Sequence, residues 1–176
     1  MRSTGSPLKR LTADAMLIGA AMMISYLEAI LPLSFVIPLP GVKLGLANLA
    51  VMIAFFTFGA ADAAAVSFIR VLLSGLLFGS GVSMLFSALG AVCAFGGLLI
   101  YRFLLKRFIS PVGASILSAA LHNMGQLLAA GIVLSDSAVI AYAPIMLCAS
   151  VACGAVNGLL LVLIVRALPE VKNDLL

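Results

Sequence analysis

The chain has 176 residues, of which 64% are hydrophobic, and its mean hydropathy is +1.30. It carries only ten Lys and Arg and six Asp and Glu side chains, with a formal net charge of +4. Because a soluble domain carries far more charge than this, the composition excludes an ordinary water-soluble fold and indicates an integral membrane protein. A helix needs about 20 apolar residues to cross a bilayer with its backbone amides paired, and several stretches of the chain meet that requirement.

Six hydrophobic stretches are predicted to form transmembrane helices in a compact all-α bundle. In chain order they are Thr12–Pro32, Leu44–Phe58, Ala60–Phe78, Val82–Leu105, Val112–Leu134 and Ser137–Leu168. Little more than Gly59 separates the second from the third, so the alternative for this pair is two short or tilted helices packed as a hairpin. Residues 1–176 are predicted to form a single transmembrane domain, with a polar amino-terminal tail at 1–11 and a short charged tail at 169–176.

Basic residues are concentrated at one end of the predicted bundle. With six spans, both termini and the loop between the fourth and fifth helices lie on the same side. That side carries Arg2, Lys9, Arg10, Arg102, Lys106, Arg107, Arg166 and Lys172. The opposite side carries only Lys43, so the positive-inside rule predicts that both termini are cytoplasmic. The basic charge is therefore interpreted as a topology signal and a contact with anionic lipids, and not as a nucleic-acid site.

Polar side chains at membrane depth form the candidate functional site. An ionisable group there costs about 2.5 to 3.5 kcal/mol, so each one needs a partner or a function. Under the predicted topology these groups converge on one level, and we expect them to line a substrate pocket open to the extracytoplasmic side. The candidate substrate-binding residues are Glu28, Lys43, Asn48, Arg70, Ser74, His122, Asn123 and Gln126.

An internal network is the alternative interpretation of these polar residues. In that arrangement Glu28 pairs with Arg70 or Lys43, and the amides satisfy one another. A histidine beside an asparagine is more often a hydrogen-bonded core residue than a ligand, so His122 alone is weak evidence for a site. Asn157, in the sixth span, is interpreted as a hydrogen-bonding contact between helices.

Small residues at four-residue spacing allow helices to approach closely. For most of these pairs, such as Gly154 and Gly158, we expect packing within the bundle. Ala15 and Gly19 are the exception, because they lie near the cytoplasmic end of the first helix, where they are predicted to dock a partner subunit.

The sequence predicts no catalytic residue, metal site or cofactor. It contains no GxSxG, HExxH or Walker motif. Enzymes that condense isoprenyl diphosphates hold magnesium with closely spaced aspartates, and such a cluster is absent here. The acidic residues are Asp14, Glu28, Asp62, Asp136, Glu170 and Asp174. The chain is therefore predicted not to be an enzyme, and Asp62 is predicted to cap the third helix.

Three segments, Pro40–Asn48, Arg70–Gly75 and Ala120–Gln126, resemble the Gx transporter family, which is also labelled heptaprenyl diphosphate synthase component I. That family is similar to the S components of energy-coupling factor transporters, which are six-helix proteins of the bacterial cytoplasmic membrane. The resemblance implies capture of a vitamin-like compound from outside the cell, and association with a transmembrane coupling subunit and ATPase subunits. It also implies that small residues of the first helix form the docking surface, which fits Ala15 and Gly19 by position.

The leading hypothesis is a substrate-binding membrane subunit that captures a small vitamin-like or anionic compound. Its cations would favour an anionic or carbonyl-rich ligand, and its amides would fix the ligand's orientation. The alternative is a non-catalytic membrane partner in prenyl diphosphate or quinone biosynthesis, in which the same groups would hold a lipid diphosphate.

Overall fold

The computed structural model describes residues 7–30, 43 and 45–167, and this part of the chain contains helices and no strands. The helices are α1 Pro7–Ile30, α2 Asn48–Thr57, α3 Ala60–Leu77, α4 Gly81–Ile100, α5 Pro111–Leu134 and α6 Ala143–Ala167. A π-helical turn, Tyr101–Leu105, extends α4, and a 3₁₀ helix, Ser137–Tyr142, precedes α6. Five of the described helices are long and apolar enough to cross a membrane, which confirms the predicted all-α membrane bundle.

The second helix is shorter than the sequence predicts. The expected span was Leu44–Phe58, whereas α2 contains ten residues and begins at Asn48. At 1.5 Å per residue it is about 15 Å long, half the thickness of the hydrocarbon core, so α2 alone does not cross the membrane. The predicted bounds of this span are therefore wrong. The alternative of a short helix packed against α3 is the arrangement found, with Phe58 and Gly59 forming the turn.

The other helix ends follow local backbone chemistry. α1 begins at Pro7, inside the segment predicted as a polar tail, and proline suits the first helical turn because it has no N–H to leave unpaired. Ser110 caps α5, since its hydroxyl accepts a hydrogen bond from Gly113 N at 3.2 Å. The predicted tail at 169–176, the first six residues, and the loop at 31–42 lie outside the described residues.

The short helix α2 is largely enclosed by other helices of the bundle. Seven of its ten residues are buried. It packs against α1, α3, α4 and α6. Leu98 of α4 and Leu161 and Val165 of α6 belong to the same apolar cluster. A helix that is apolar on all sides is stable only where protein surrounds it, so α2 forms the core against which the longer helices pack.

Glycines bring α4, α5 and α6 into backbone contact. A Cβ atom placed on Gly154 would lie 2.7 Å from Ile116 Cα, and one on Gly158 would lie 2.8 Å from Val112 Cα. Both separations are shorter than any normal contact, so α6 can approach α5 this closely only because these residues lack side chains. The expectation that Gly154 and Gly158 mediate packing is confirmed.

The first helix lies at the edge of the bundle and exposes one long face. Ala15 and Gly19 are both exposed, and no atom lies within 4 Å of the position that a Cβ on Gly19 would occupy. The opposite face of α1 is attached to the α2–α3 hairpin through Arg10, which donates hydrogen bonds to the Asp62 carboxylate and to Phe58 O. Asp62 therefore pairs with Arg10, and the described N-cap of α3 is Gly59.

Candidate functional site

The chain enters the bundle before α2 as non-helical backbone, which we call the entry segment (Lys43 and Gly45–Ala47). Backbone amides without helical partners must be satisfied by protein groups at this depth. Gln126 of α5 satisfies two of them, because its Oε1 accepts from Lys43 N at 2.8 Å and its Nε2 donates to Lys43 O at 2.9 Å. The side-chain amide thus makes the same pair of hydrogen bonds with the backbone of Lys43 that a neighbouring β-strand would make.

Two more helices hold the entry segment by single hydrogen bonds. Glu28 of α1 accepts from Leu46 N through Oε1 at 2.8 Å. Asn157 of α6 donates through Nδ2 to Gly45 O at 3.2 Å. The sequence predicts Asn157 only as a contact between helices. Its position between Gly154 and Gly158, on the close-packed face of α6, is the signal that could have indicated a place beside the site.

His122 is enclosed between two glycines. A Cβ on Gly45 would lie 3.2 Å from His122 Cδ2, and a Cβ on Gly90 of α4 would lie 2.7 Å from His122 Cε1. Gly45 also has a φ of 81°, a conformation that glycine adopts without strain. The imidazole therefore fits because both neighbours lack side chains, and this contact links the segments Pro40–Asn48 and Ala120–Gln126 of the sequence.

Two of the predicted binding amides join helices. Asn123 Nδ2 donates to Met146 O at 2.9 Å and to Ser150 Oγ at 2.8 Å, both on α6. Asn48 Nδ2 donates to Ser118 Oγ at 3.0 Å. Both amides therefore have protein partners on the facing helix, as in an internal network, although these partners are a backbone carbonyl and serine hydroxyls and not other amides.

Arg70 differs from these amides because part of its side chain has no hydrogen-bond partner within residues 7–30, 43 and 45–167. Its side chain lies on α3 and is 5% exposed. Its Nε and Nη2 atoms are buried, and among the described residues they make no hydrogen bond and no carboxylate oxygen lies within 4.0 Å of the guanidinium. Ser74, one turn further along α3, is also buried and bonds to Val71 O of its own helix. Burying a guanidinium without a hydrogen-bond acceptor costs free energy. Arg70 is therefore the residue of the candidate site that most requires a partner.

Glu28 and Lys43 complete a charged cluster with Arg70. Glu28 is 3% exposed, and its Oε2 atom has no hydrogen-bond partner among the described residues. Burial lowers the pKa of the half-buried Lys43, the charge of Glu28 opposes that shift, and the charge of Arg70 adds to it. The three side chains are therefore close enough to influence one another, although Glu28 does not form an ion pair with either cation.

The structure thus divides the predicted site residues into groups. Glu28, His122 and Gln126 contact the entry segment, and Lys43 is part of it. Arg70 lies on α3, near enough to Glu28 and Lys43 for their charges to interact, and Ser74 lies one turn further along the same helix. Asn48 and Asn123 lie in helix interfaces beside it. Ala15 and Gly19 lie on the exposed face of α1, away from this cluster. The described residues include no group of three or more His, Cys, Asp and Glu that could hold a metal ion.

A family model described as heptaprenyl diphosphate synthase component I matches residues 17–164. The chain belongs to this family. The match extends from α1 into α6 and includes every candidate substrate-binding residue, together with Gly19, whereas Ala15 lies just before it. Comparisons with curated proteins and with solved structures gave no match.

The name of the heptaprenyl diphosphate synthase component I family describes a component of a synthase and not its catalytic subunit. Together with the apolar helices, it characterises the chain as a multi-pass membrane protein embedded in a lipid bilayer and belonging to a larger complex.

Proposed function

We propose that the protein is the substrate-binding subunit of a membrane uptake system and that it captures a small anionic, vitamin-like compound from the extracytoplasmic side. The observation that carries this proposal is the buried guanidinium of Arg70, whose Nε and Nη2 atoms have no hydrogen-bond partner in the part of the chain that the structure describes. A purely structural arginine at membrane depth would be expected to pair with a carboxylate or with backbone carbonyls.

The surroundings of Arg70 support an anionic ligand. Lys43 adds a second cation to the cluster and Glu28 provides the one carboxylate, so these three groups together carry an excess of positive charge. The entry segment that carries Lys43 is held by side chains of α1, α5 and α6. A site that is fixed from several helices loses little entropy when a ligand binds, which favours affinity.

Uptake requires an energy source, and we propose that a partner complex supplies it. The sequence has no Walker motif of its own. The exposed face of α1 around Ala15 and Gly19 supports a helix–helix contact with a transmembrane coupling subunit, because small residues let two backbones approach. ATPase subunits would act through that coupling subunit. We place the protein in the bacterial cytoplasmic membrane with both termini in the cytoplasm.

The family description favours a second candidate function. In this alternative the protein is a non-catalytic partner of a prenyl diphosphate synthase, and its charged cluster holds a lipid diphosphate. The two functions differ in their ligand, since the first requires a small soluble compound and the second requires an isoprenyl diphosphate.

The test is to identify what the purified protein retains. Full-length protein in lipid nanodiscs is incubated with a bacterial metabolite extract, washed, and compared by mass spectrometry with nanodiscs lacking protein. The proposed function predicts enrichment of a small anionic compound. Enrichment of isoprenyl diphosphates would instead support the synthase partner, and an absence of any enriched compound would contradict both functions.

A further inference from the structure

The free atoms of Arg70 lie on one edge of the guanidinium. Nη2 is on the opposite side of the Cζ–Nε bond from Cδ, so its inner N–H points in the same direction as the Nε N–H. Two parallel donors at this spacing match the two oxygens of a carboxylate or phosphoryl group. Both atoms are buried and lack a hydrogen-bond partner among the described residues, so the whole edge is unpaired.

The charge of the surrounding cluster distinguishes between these two anions. With all three side chains ionised, Arg70, Lys43 and Glu28 carry a formal net charge of +1. A ligand with one negative charge neutralises that excess. A phosphate monoester carries a charge of about −1.5 to −2 near neutral pH and a diphosphate carries more. The additional negative charge would be repelled by Glu28, whose Oε2 atom has no hydrogen-bond partner among the described residues.

We propose that the site binds a monocarboxylate, whose two oxygens accept hydrogen bonds from Nε and Nη2 of Arg70. This inference rests on the proposed function and specifies the chemical class of its substrate. Lys43 contributes a second positive charge beside the carboxylate, and the Glu28 Oε2 atom accepts a hydrogen bond from a donor group elsewhere on the same ligand. The polar lining thus recognises a compound that carries both an acid group and an N–H or O–H donor.

Three variants test the role of the guanidinium edge. Arg70→Lys keeps the positive charge but removes the paired donors, whereas Arg70→Gln removes the charge as well. Arg166→Lys is the matched control, because Arg166 is exposed on α6. The wild-type protein in nanodiscs is first exposed to the metabolite extract, the retained compound is identified, and its dissociation constant is then measured for each protein.

The expected ligand is a monocarboxylate. Arg70→Lys should weaken its binding about tenfold or more, because a charge without the fork geometry does not replace a bidentate pair. Arg70→Gln should weaken it further, while Arg166→Lys should bind as the wild type does. The methyl ester of the compound should bind the wild-type protein at least about tenfold more weakly than the acid, a comparison that does not depend on the folding of any variant.

Three outcomes would overturn the monocarboxylate assignment while leaving the proposed function intact. They are a retained small compound without a carboxylate, wild-type affinity in Arg70→Lys, and equal binding of the acid and its methyl ester. A failure to retain any compound above protein-free nanodiscs would refute the proposed function together with this inference. Retention of an isoprenyl diphosphate would refute both in favour of the synthase partner.

Discussion

Single residues of the site act on the protein's own backbone as well as on a proposed ligand. Gln126 uses both ends of its amide on the main chain of Lys43, and one oxygen of Glu28 accepts from Leu46 N. These bonds hold the entry segment against α5 and α1. Gln126 therefore acts on the backbone of Lys43 as a positioning residue, and we propose that Arg70 is the group that contacts the ligand.

Lys43 should make ligand binding depend on pH. Burial lowers the pKa of this lysine, so it loses its proton below the usual value near 10.4. A bound anion favours the charged ammonium, and the affinity should therefore fall as the pH rises through the lowered pKa. Dissociation constants of the retained compound measured from pH 7 to pH 10 should show this loss. Lys43→Met should bind more weakly at pH 7 and lack this loss; an unchanged pH profile would contradict the role of Lys43.

The identity of the polar residues was predictable, but their partners were not. Glu28, Arg70 and Gln126 are conspicuous in the sequence because polar groups are costly within apolar stretches. Which atoms they contact depends on where the entry segment crosses the bundle, and spacing along the chain does not encode that path. For the same reason Asn157 could be assigned to a helix contact but not to Gly45 O.

At the scale of helices, hydropathy predicted which helices form more accurately than it predicted where each helix begins and ends. Five long helices are near their predicted positions, whereas α2 begins four residues after the predicted start at Leu44. Leu44, Leu46 and Ala47 are apolar like the helix that follows Asn48, so hydropathy alone could not distinguish non-helical entry backbone from helix. Gly45, with its positive φ, was the one local signal of a break.

The contact between α5 and α6 should be sensitive to a single methyl group. Gly154→Ala would place a Cβ 2.7 Å from Ile116 Cα, where only a backbone shift can relieve the clash. We expect a loss of about 1 to 3 kcal/mol in the free energy of unfolding, measured by denaturation in detergent micelles. Gly96→Ala is the control, since no atom lies within 4 Å of its Cβ position. Equal stability of the two variants would show that α6 does not require this glycine.

The exposed face of α1 should be required for partner binding but not for folding. Replacing Ala15 and Gly19 with Leu adds bulk where one backbone would meet another, so co-purification with a coupling subunit should be lost while thermal unfolding is unchanged. The control pair is Gly96→Leu and Ala152→Leu, which adds similar bulk at a second open glycine and a second exposed alanine. Normal co-purification of the α1 variant would contradict the proposal that Ala15 and Gly19 contact the coupling subunit.

On the scale of the whole molecule, the order of the helices determines from which end of the bundle a ligand would reach the site. The start of α1, the α2–α3 turn, the π-helical end of α4 and the end of α6 lie at the end rich in basic residues. The entry segment precedes α2, so it reaches the site from the other end. A ligand that enters beside Lys43 would therefore arrive from the side opposite the basic residues.

The orientation in the membrane can be tested with reporter fusions. Both termini should lie in the cytoplasm, because the basic residues are concentrated at that end of the bundle. Green fluorescent protein fused to the carboxyl terminus should fluoresce, and alkaline phosphatase fused there should be inactive. Alkaline phosphatase fused after Ser80, between α3 and α4, should be active. The opposite pattern would invert the topology.

The most direct test of the proposed binding site is to measure the affinity of the retained compound for Arg70→Gln. If Arg70 contacts the ligand, its loss should weaken binding by about 1.5 to 3 kcal/mol, whereas Arg166→Gln should bind as the wild type does. Thermal unfolding of Arg70→Gln and Glu28→Gln, measured alongside, distinguishes a ligand contact from a structural pair. Normal affinity in Arg70→Gln, with stability lost to the same extent in both variants, would show that Arg70 serves Glu28 and would contradict the proposed site.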